Sequence, residues 1–320
     1  MTELYRSIFM KQKMMRKVLY SLIPVTLGSI YFYGWRTLVL MAVISVFGIF
    51  TEYLFKRKSN KKVSEAVLVT SILLTLTLPA STPFWVGIIG IIFGIVFAKE
   101  IFGGFGHNVF NPALAARTFL YVTFPEPMTV QWSTVSSGFP GGFARYLSPA
   151  LDTITQSTPL GILRQGGEML PLRNLFIGNT SGSLGEASAF LILVAAAYLL
   201  FTKTADWKLM LAPVIGFVGI HSILLLANVS SVPSPLHGLL SGGFLFMTVF
   251  MTTDPITAPK QTEAKWIYGL LIGIIASVIR IFGIFVGGAM FAVLIMNTFS
   301  PILDEGIKHL KSSKRKKVTA

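Results

Sequence analysis

Apolar runs long enough to cross a lipid bilayer recur along this chain, and they constrain its fold more than any motif does. A crossing helix needs roughly 20 predominantly apolar residues. Such runs fall at 18–34, 38–55, 64–79, 84–99, 187–202, 209–227, 266–282 and 285–302, with shorter, Pro- or Gly-flanked ones at 110–124 and 236–251. Of the 320 residues 53% are hydrophobic and only 12% are charged, a composition foreign to soluble domains. The chain reads as an all-α polytopic membrane protein with about ten transmembrane helical segments. The first run follows a basic stretch, as a signal peptide would, but it lacks a small-x-small cleavage site and a second span follows at once, so it reads as a retained helix.

Lysine and arginine are retained on the cytoplasmic side of short loops. They cluster at 6–17, at 56–62 and in the C-terminal tail, and ten crossings put these clusters on one side together with Lys99, Lys203, Lys208, Lys260 and Lys265. Arg36, Arg145, Arg164 and Arg173 fall on the other. The expected organisation is a basic cytoplasmic N-terminus (1–17), a first transmembrane half (18–124), an extracytoplasmic loop (125–186), a second transmembrane half (187–303) and a basic cytoplasmic tail (304–320). Topology and contact with anionic membrane lipid then account for the net charge of +14. Nucleic acid is not expected as a partner, because no basic stretch is interleaved with stacking aromatics. The chain has no cysteine, which excludes disulfides, thiolate-held iron–sulfur clusters and cysteine-attached haem within it.

An internal repeat organises the apolar segments. A span ending at Leu78-Pro79, a second span, the turn Phe102-Gly103-Gly104-Phe105-Gly106 and the short segment opening at Asn111-Pro112 have a counterpart between 209 and 259. There a span is followed by a break at Pro233 to His237, a short span and Thr253-Asp254-Pro255. Paired interruptions of this kind suggest inverted repeats whose broken helices meet near the bilayer midplane. The plainer reading is that Asn-Pro and Asp-Pro cap short helices.

Ionisable residues inside spans are functional candidates by default. Arg117 and Asp254 sit in the two interrupted segments, and Glu186 opens the span at 187–202; Asp254 and Glu186 are the ion-pathway candidates. Each also has a structural reading as a helix-end charge or cap. His107 and His237 border the Gly-rich breaks and read as structural; no metal site is expected. In the polar loop, Thr158-Pro159 offers a hydroxyl in extended backbone, since proline disfavours the α region at the residue before it. Such a hydroxyl is free to form a phosphoester, and Asp152 stands six residues earlier.

Three stretches carry a resemblance. They are Phe102-Gly103-Gly104-Phe105-Gly106-His107-Asn108-Val109-Phe110-Asn111-Pro112-Ala113, Gly182-Ser183-Leu184-Gly185-Glu186-Ala187-Ser188 and Phe246-Met247 through Phe250-Met251-Thr252-Thr253-Asp254-Pro255-Ile256-Thr257-Ala258-Pro259. They resemble the signature stretches of the family that contains the D-type subunit of the Rnf complex and the B-type subunit of the sodium-translocating NADH:quinone reductase. With only 17 residues before its first span, the chain resembles the Rnf branch more closely. Within the family, Asp-x-x-Ser/Thr-Gly-Ala/Ser-Thr marks a final threonine that carries FMN through its phosphate, installed by a flavin transferase. Here the pattern reads Asp152-Thr153-Ile154-Thr155-Gln156-Ser157-Thr158, with Gln156 where the family usually has glycine. The resemblance thus implies covalent FMN on Thr158, with Asp152, Thr155 and Ser157 in the attachment motif. It further implies a second, non-covalent flavin (riboflavin) with Arg117 near it. Gly287 stands where the family commonly has an acidic residue, a candidate ion ligand or structural pair for Arg280, so ion-pathway roles are not carried to that corner.

Implied as well is a role in a bacterial inner membrane: a subunit of a redox-driven ion translocase that relays electrons between ferredoxin and NAD⁺ and couples this to Na⁺ or H⁺ transport. Iron–sulfur and nicotinamide sites would belong to partner subunits, so the chain alone would not complete a turnover. Arg145, Arg164 and Arg173 are expected partners of the flavin phosphate. Two other classes are compatible with the same architecture: a channel or transporter for a small polar solute, and a structural membrane anchor.

Overall fold

The computed structural model describes residues 8–57, 59–136, 138–146, 158–164, 169–178, 180–229, 232–283 and 287–319, without the side chains of 163, 164 and 314–319. Each of the ten apolar runs contains a helix. The first two runs form α1 (Lys13–Tyr33) and α2 (Arg36–Arg57). The next three form α3 (Ala66–Thr77), α4 (Phe84–Ile95) and α5 (Pro112–Thr123). Short helices α6 (Pro125–Thr129), α7 (Pro159–Arg164) and α8 (Leu172–Ile177) occupy the loop region. Beyond it come α9 (Ala189–Phe201), α10 (Trp207–Leu226), α11 (Pro235–Leu240), α12 (Phe244–Phe250), α13 (Thr262–Phe282) and α14 (Gly288–Thr319). Among the described residues, α2, α10, α13 and the 288–313 part of α14 are each long and apolar enough to cross a membrane. The chain is a multi-pass membrane protein. A departure from the all-α expectation is a two-residue parallel pair, β1 (Phe9–Met10) with β2 (Val63–Ser64).

Several of the expected spans are half-length helices. At 1.5 Å per residue the 12 residues of α3 reach only about 18 Å, against roughly 30 Å of hydrocarbon. Pro79 ends the helix by forcing Leu78 into extended backbone (φ −87°, ψ 153°). The carbonyl freed there is not left bare in a medium without water. Leu184 N donates to Leu78 O at 3.0 Å, and Pro79 forms an antiparallel bridge with Ser183. The apolar run 236–251, read as one short span, is split into α11 and α12 by Ser241-Gly242-Gly243. Gly242 has φ +66°, a left-handed conformation that suits glycine.

α10 and α13 pack by close backbone approach, since a Cβ at Gly216 or Gly273 would collide with the opposite helix's backbone. Small residues serve this purpose in membrane helices. The loop region is tied to the α1–α2 turn. There Trp35 N donates to Arg145 O (3.1 Å), Trp35 Nε1 to Phe143 O (2.7 Å) and Ser136 N to Phe32 O (2.8 Å).

Candidate functional site

The two interrupted segments meet. Asn111 caps α5, its Oδ1 accepting from Ala113 N (3.1 Å) and Leu114 N (3.2 Å), while its Nδ2 donates to Asp254 Oδ2 at 3.1 Å. The other Asp254 oxygen accepts from Ile256 N at 3.0 Å. Asp254 is thus both a cap of its own turn and a partner of the opposite half's cap. The pair lines a cavity of about 70 Å³ together with Lys99, Asn108, Phe105, Thr204 and the apolar side chains of Met14, Met15 and Leu73.

Lys99 belongs to a buried charge cluster. Residues Val96–Glu100 form a π-helical turn at the end of α4, a feature frequent at functional sites. It points Lys99 Nζ at Glu52 Oε2 (2.6 Å) and Ser64 Oγ (2.7 Å), and Glu52 Oε1 accepts from Ser64 N and Oγ. Lys99 and Glu52 are 2% and 0% exposed, so Lys99 is not one of the surface cations among which the charge pattern counts it. A second pair, Lys56–Glu100 at 2.7 Å, lies against Gly104. Arg36, expected in an external loop, is likewise buried, donating to Ala80 O and Thr82 O with its guanidinium over the Phe84 ring.

A larger cavity, about 270 Å³, holds the loop threonine. Thr158 lines it with Tyr121, Trp132, Met247, Glu186, Arg117, Arg280 and Gly287. Thr158 sits just before α7, and its Oγ1 accepts from Gly161 N at 3.2 Å, a capping role that commits no proton of the hydroxyl to a helix carbonyl. Arg117, on α5, is 4% exposed, and its Nη2 reaches Ser183 Oγ at 3.3 Å. Its Nε and Nη1 are buried and have no hydrogen-bond acceptor among the described residues. Leaving such a donor unsatisfied costs about 1–3 kcal/mol, and more when it is charged. Arg280 is held rigidly, Nη1 donating to Gly238 O (3.0 Å) and Ser241 O (3.2 Å) and the guanidinium lying over Phe217 and Phe244. The Glu186 carboxylate occupies the space that a side chain at position 243 would need.

The sequence expectations are sorted by this geometry. Thr158, Arg117 and Glu186 come together, while Asp254 lines the other cavity. Asp152, Thr155 and Ser157 lie outside the described residues. Arg145 and Arg173 do not line the larger cavity, and the Arg164 side chain is outside the described residues. Among the described residues, the cations that do line it are Arg117 and Arg280. The sequence ties Arg280 to the corner at Gly287, and both residues line this cavity; its place beside Thr158 is the part that spacing does not show. Among the described residues no three His, Asp or Glu side chains are placed to hold a metal ion.

Half-length helices, a helix cap bonded to the turn of the opposite half, a charged pair buried between spans and a cavity that holds the loop threonine define a multi-pass membrane protein of interrupted-helix type. Its family follows from comparison: residues 5–312 match the NQR2, RnfD, RnfE family, and the chain belongs to it. The B-type subunit of the Na(+)-translocating NADH-quinone reductase of Pseudomonas aeruginosa (strain LESB58) is 35% identical over 281 residues, covering 84% of this chain and 66% of that protein. Its counterpart from Azotobacter vinelandii (strain DJ / ATCC BAA-1303) is 35% identical over 297 residues, 90% of this chain and 70% of the relative. That of Klebsiella pneumoniae (strain 342) is 34% identical over 304 residues, with 91% and 70% covered. The chain spans about two thirds of the length of these relatives.

Proposed function

We propose that this chain is the flavin-bearing membrane subunit of an ion-translocating electron-transport complex, with FMN joined through its phosphate to Thr158. The observation that carries the reading is the position of Thr158 on a largely apolar, partly aromatic cavity that contains a buried, under-satisfied arginine. Such a cavity fits an anionic, aromatic group, and the FMN threonine pattern ends at this residue. When bound, the flavin would supply one-electron and two-electron chemistry. The protein's share is placement, electrostatics and exclusion of water. Tyr121, Trp132 and Met247 offer apolar and aromatic wall, and Arg117 and Arg280 offer positive charge.

A second, non-covalent flavin is proposed on the resemblance alone: the smaller cavity, about 70 Å³, is far below the size of a flavin, and Arg117, which the resemblance sets beside that flavin, lines the larger one. Membership of the family supports a multisubunit assembly in a bacterial inner membrane, driven by NADH or ferredoxin and moving Na⁺ or H⁺. The ferredoxin:NAD⁺ form is the one proposed, with iron–sulfur and nicotinamide sites on partner subunits and a flavin transferase for maturation.

Thr158→Ala decides between this reading and a passive channel. Alanine offers no oxygen for a phosphoester, and the change adds no charge in a loop region, where substitutions are usually mild. Protein co-expressed with a flavin transferase is expected to show a fluorescent band on denaturing electrophoresis and an FMN adduct on the Thr158 peptide by mass spectrometry. The variant is expected to lose both while inserting normally. Wild-type chain without an adduct under those conditions would overturn the proposal.

A further inference from the structure

We propose that Arg117 and Arg280 form an anion seat, one arginine from each half of the chain, that receives the phosphodiester joining flavin to Thr158. The inference rests on the flavin reading above and deepens it. The seat is built before any ligand arrives. Arg117 is 4% exposed, and two of its three guanidinium nitrogens have no acceptor among the described residues, while only Nη2 is engaged, at Ser183 Oγ. An arginine buried in that state is arranged for an oxygen-rich anion, because the guanidinium fork matches phosphate geometry. Arg280 is fixed by two carbonyls and two aromatic faces, so its head does not swing away.

Position 242 ties Arg280 to the attachment turn. Arg280 Nη2 lies 3.3 Å, and Leu160 Cδ1 2.8 Å, from where a Cβ on Gly242 would stand. A side chain there would wedge the cation from the turn that carries Thr158.

The test uses full-length chain in membranes, co-expressed with a flavin transferase, and measures iodide quenching of native flavin fluorescence per covalently bound flavin. Arg117→Gln is expected to raise the quenching constant several-fold as the tethered flavin leaves the cavity, and Arg117→Lys, which keeps the charge but not the fork, to fall between. Quenching equal to wild type in Arg117→Gln would overturn the proposal. Should Arg117→Gln not be recovered folded, the Thr158→Ala chain decides. It is expected to bind free FMN about tenfold tighter than riboflavin, a difference of about 1.4 kcal/mol for one charge-assisted contact. Equal affinity for the two, or binding of neither, would overturn it. Failure of the flavin reading itself looks different: wild-type chain then carries no covalent fluorescence at all.

Discussion

Lys99 and Glu52 each stand within or at the end of an apolar run, where an unpaired charge would cost several kcal/mol. Their contact at 2.6 Å, with Ser64 completing the cluster, makes each the condition for burying the other. Removing one partner of a buried pair costs about 3–5 kcal/mol, because the remaining charge is stranded, while replacing both by apolar groups is often neutral. Lys99→Met and Glu52→Leu are therefore each expected to lower the thermal stability of the detergent-purified chain sharply, and the double variant to recover most of the loss. Single variants that melt with wild type would show the pair to be incidental. The two charges are visible in the sequence, but their pairing is not, since the partners lie 47 residues apart and meet only after α2, β2 and the π turn have packed. Thr158 stood out as a candidate because the features that mark it are local, a hydroxyl before proline at the end of a motif. Arg280 is tied by the sequence only to Gly287, because its relation to Gly242 and Thr158 follows from packing that no spacing along the chain expresses.

At the level of elements, the interruptions were readable and their consequences only partly so. Proline after Leu78 and the Asn-Pro and Asp-Pro pairs announce helix ends. The split between α11 and α12 was not legible, because a Ser-Gly-Gly inside an apolar run is tolerated in a continuous membrane helix. The break here accommodates the Glu186 carboxylate against Gly243 and a left-handed Gly242. The meeting of α5's cap with the turn after α12 gives the interruptions a shared purpose, since Asn111 and Asp254 join the halves by a direct hydrogen bond. Asp254→Asn keeps the shape but replaces a charged acceptor, and hydrogen bonds to charged groups are worth about 1.5–3 kcal/mol. The variant is expected to lower assembly or coupled electron transfer by roughly an order of magnitude while leaving covalent flavin in place, because Thr158 lies on the other cavity. Undiminished coupled activity would reduce Asp254 to a cap.

For the molecule as a whole, orientation is the property that the sequence expresses most diffusely and that the packing of the helices does not fix by itself. It rests on the bias of lysine and arginine, which holds for short loops near span ends. The structure removes two residues from that count: Lys99 is paired with Glu52, and Arg36 is buried against α3's exit and Phe84. Neither reports on a loop, and the expectation that the clusters at 11–17, at 56–62 and beyond 308 share one side rests on the ten-segment path. On that path the segment tied to the α1–α2 turn through Trp35, Phe143 and Arg145 is expected on the opposite side, as is Thr158. A flavin on that side would be separated from cytoplasmic nicotinamide by the thickness of the membrane, so electrons would have to cross the bilayer to reach it. That geometry makes orientation a mechanistic statement. A reporter fused after Lys317 is expected to be cytoplasmic, and a tag inserted beside Gly141 to react with an impermeant label added outside intact cells. Both tags answering from the same side would remove the ten-segment path, and with it the transmembrane electron route, while leaving the cavity chemistry at Thr158 untouched.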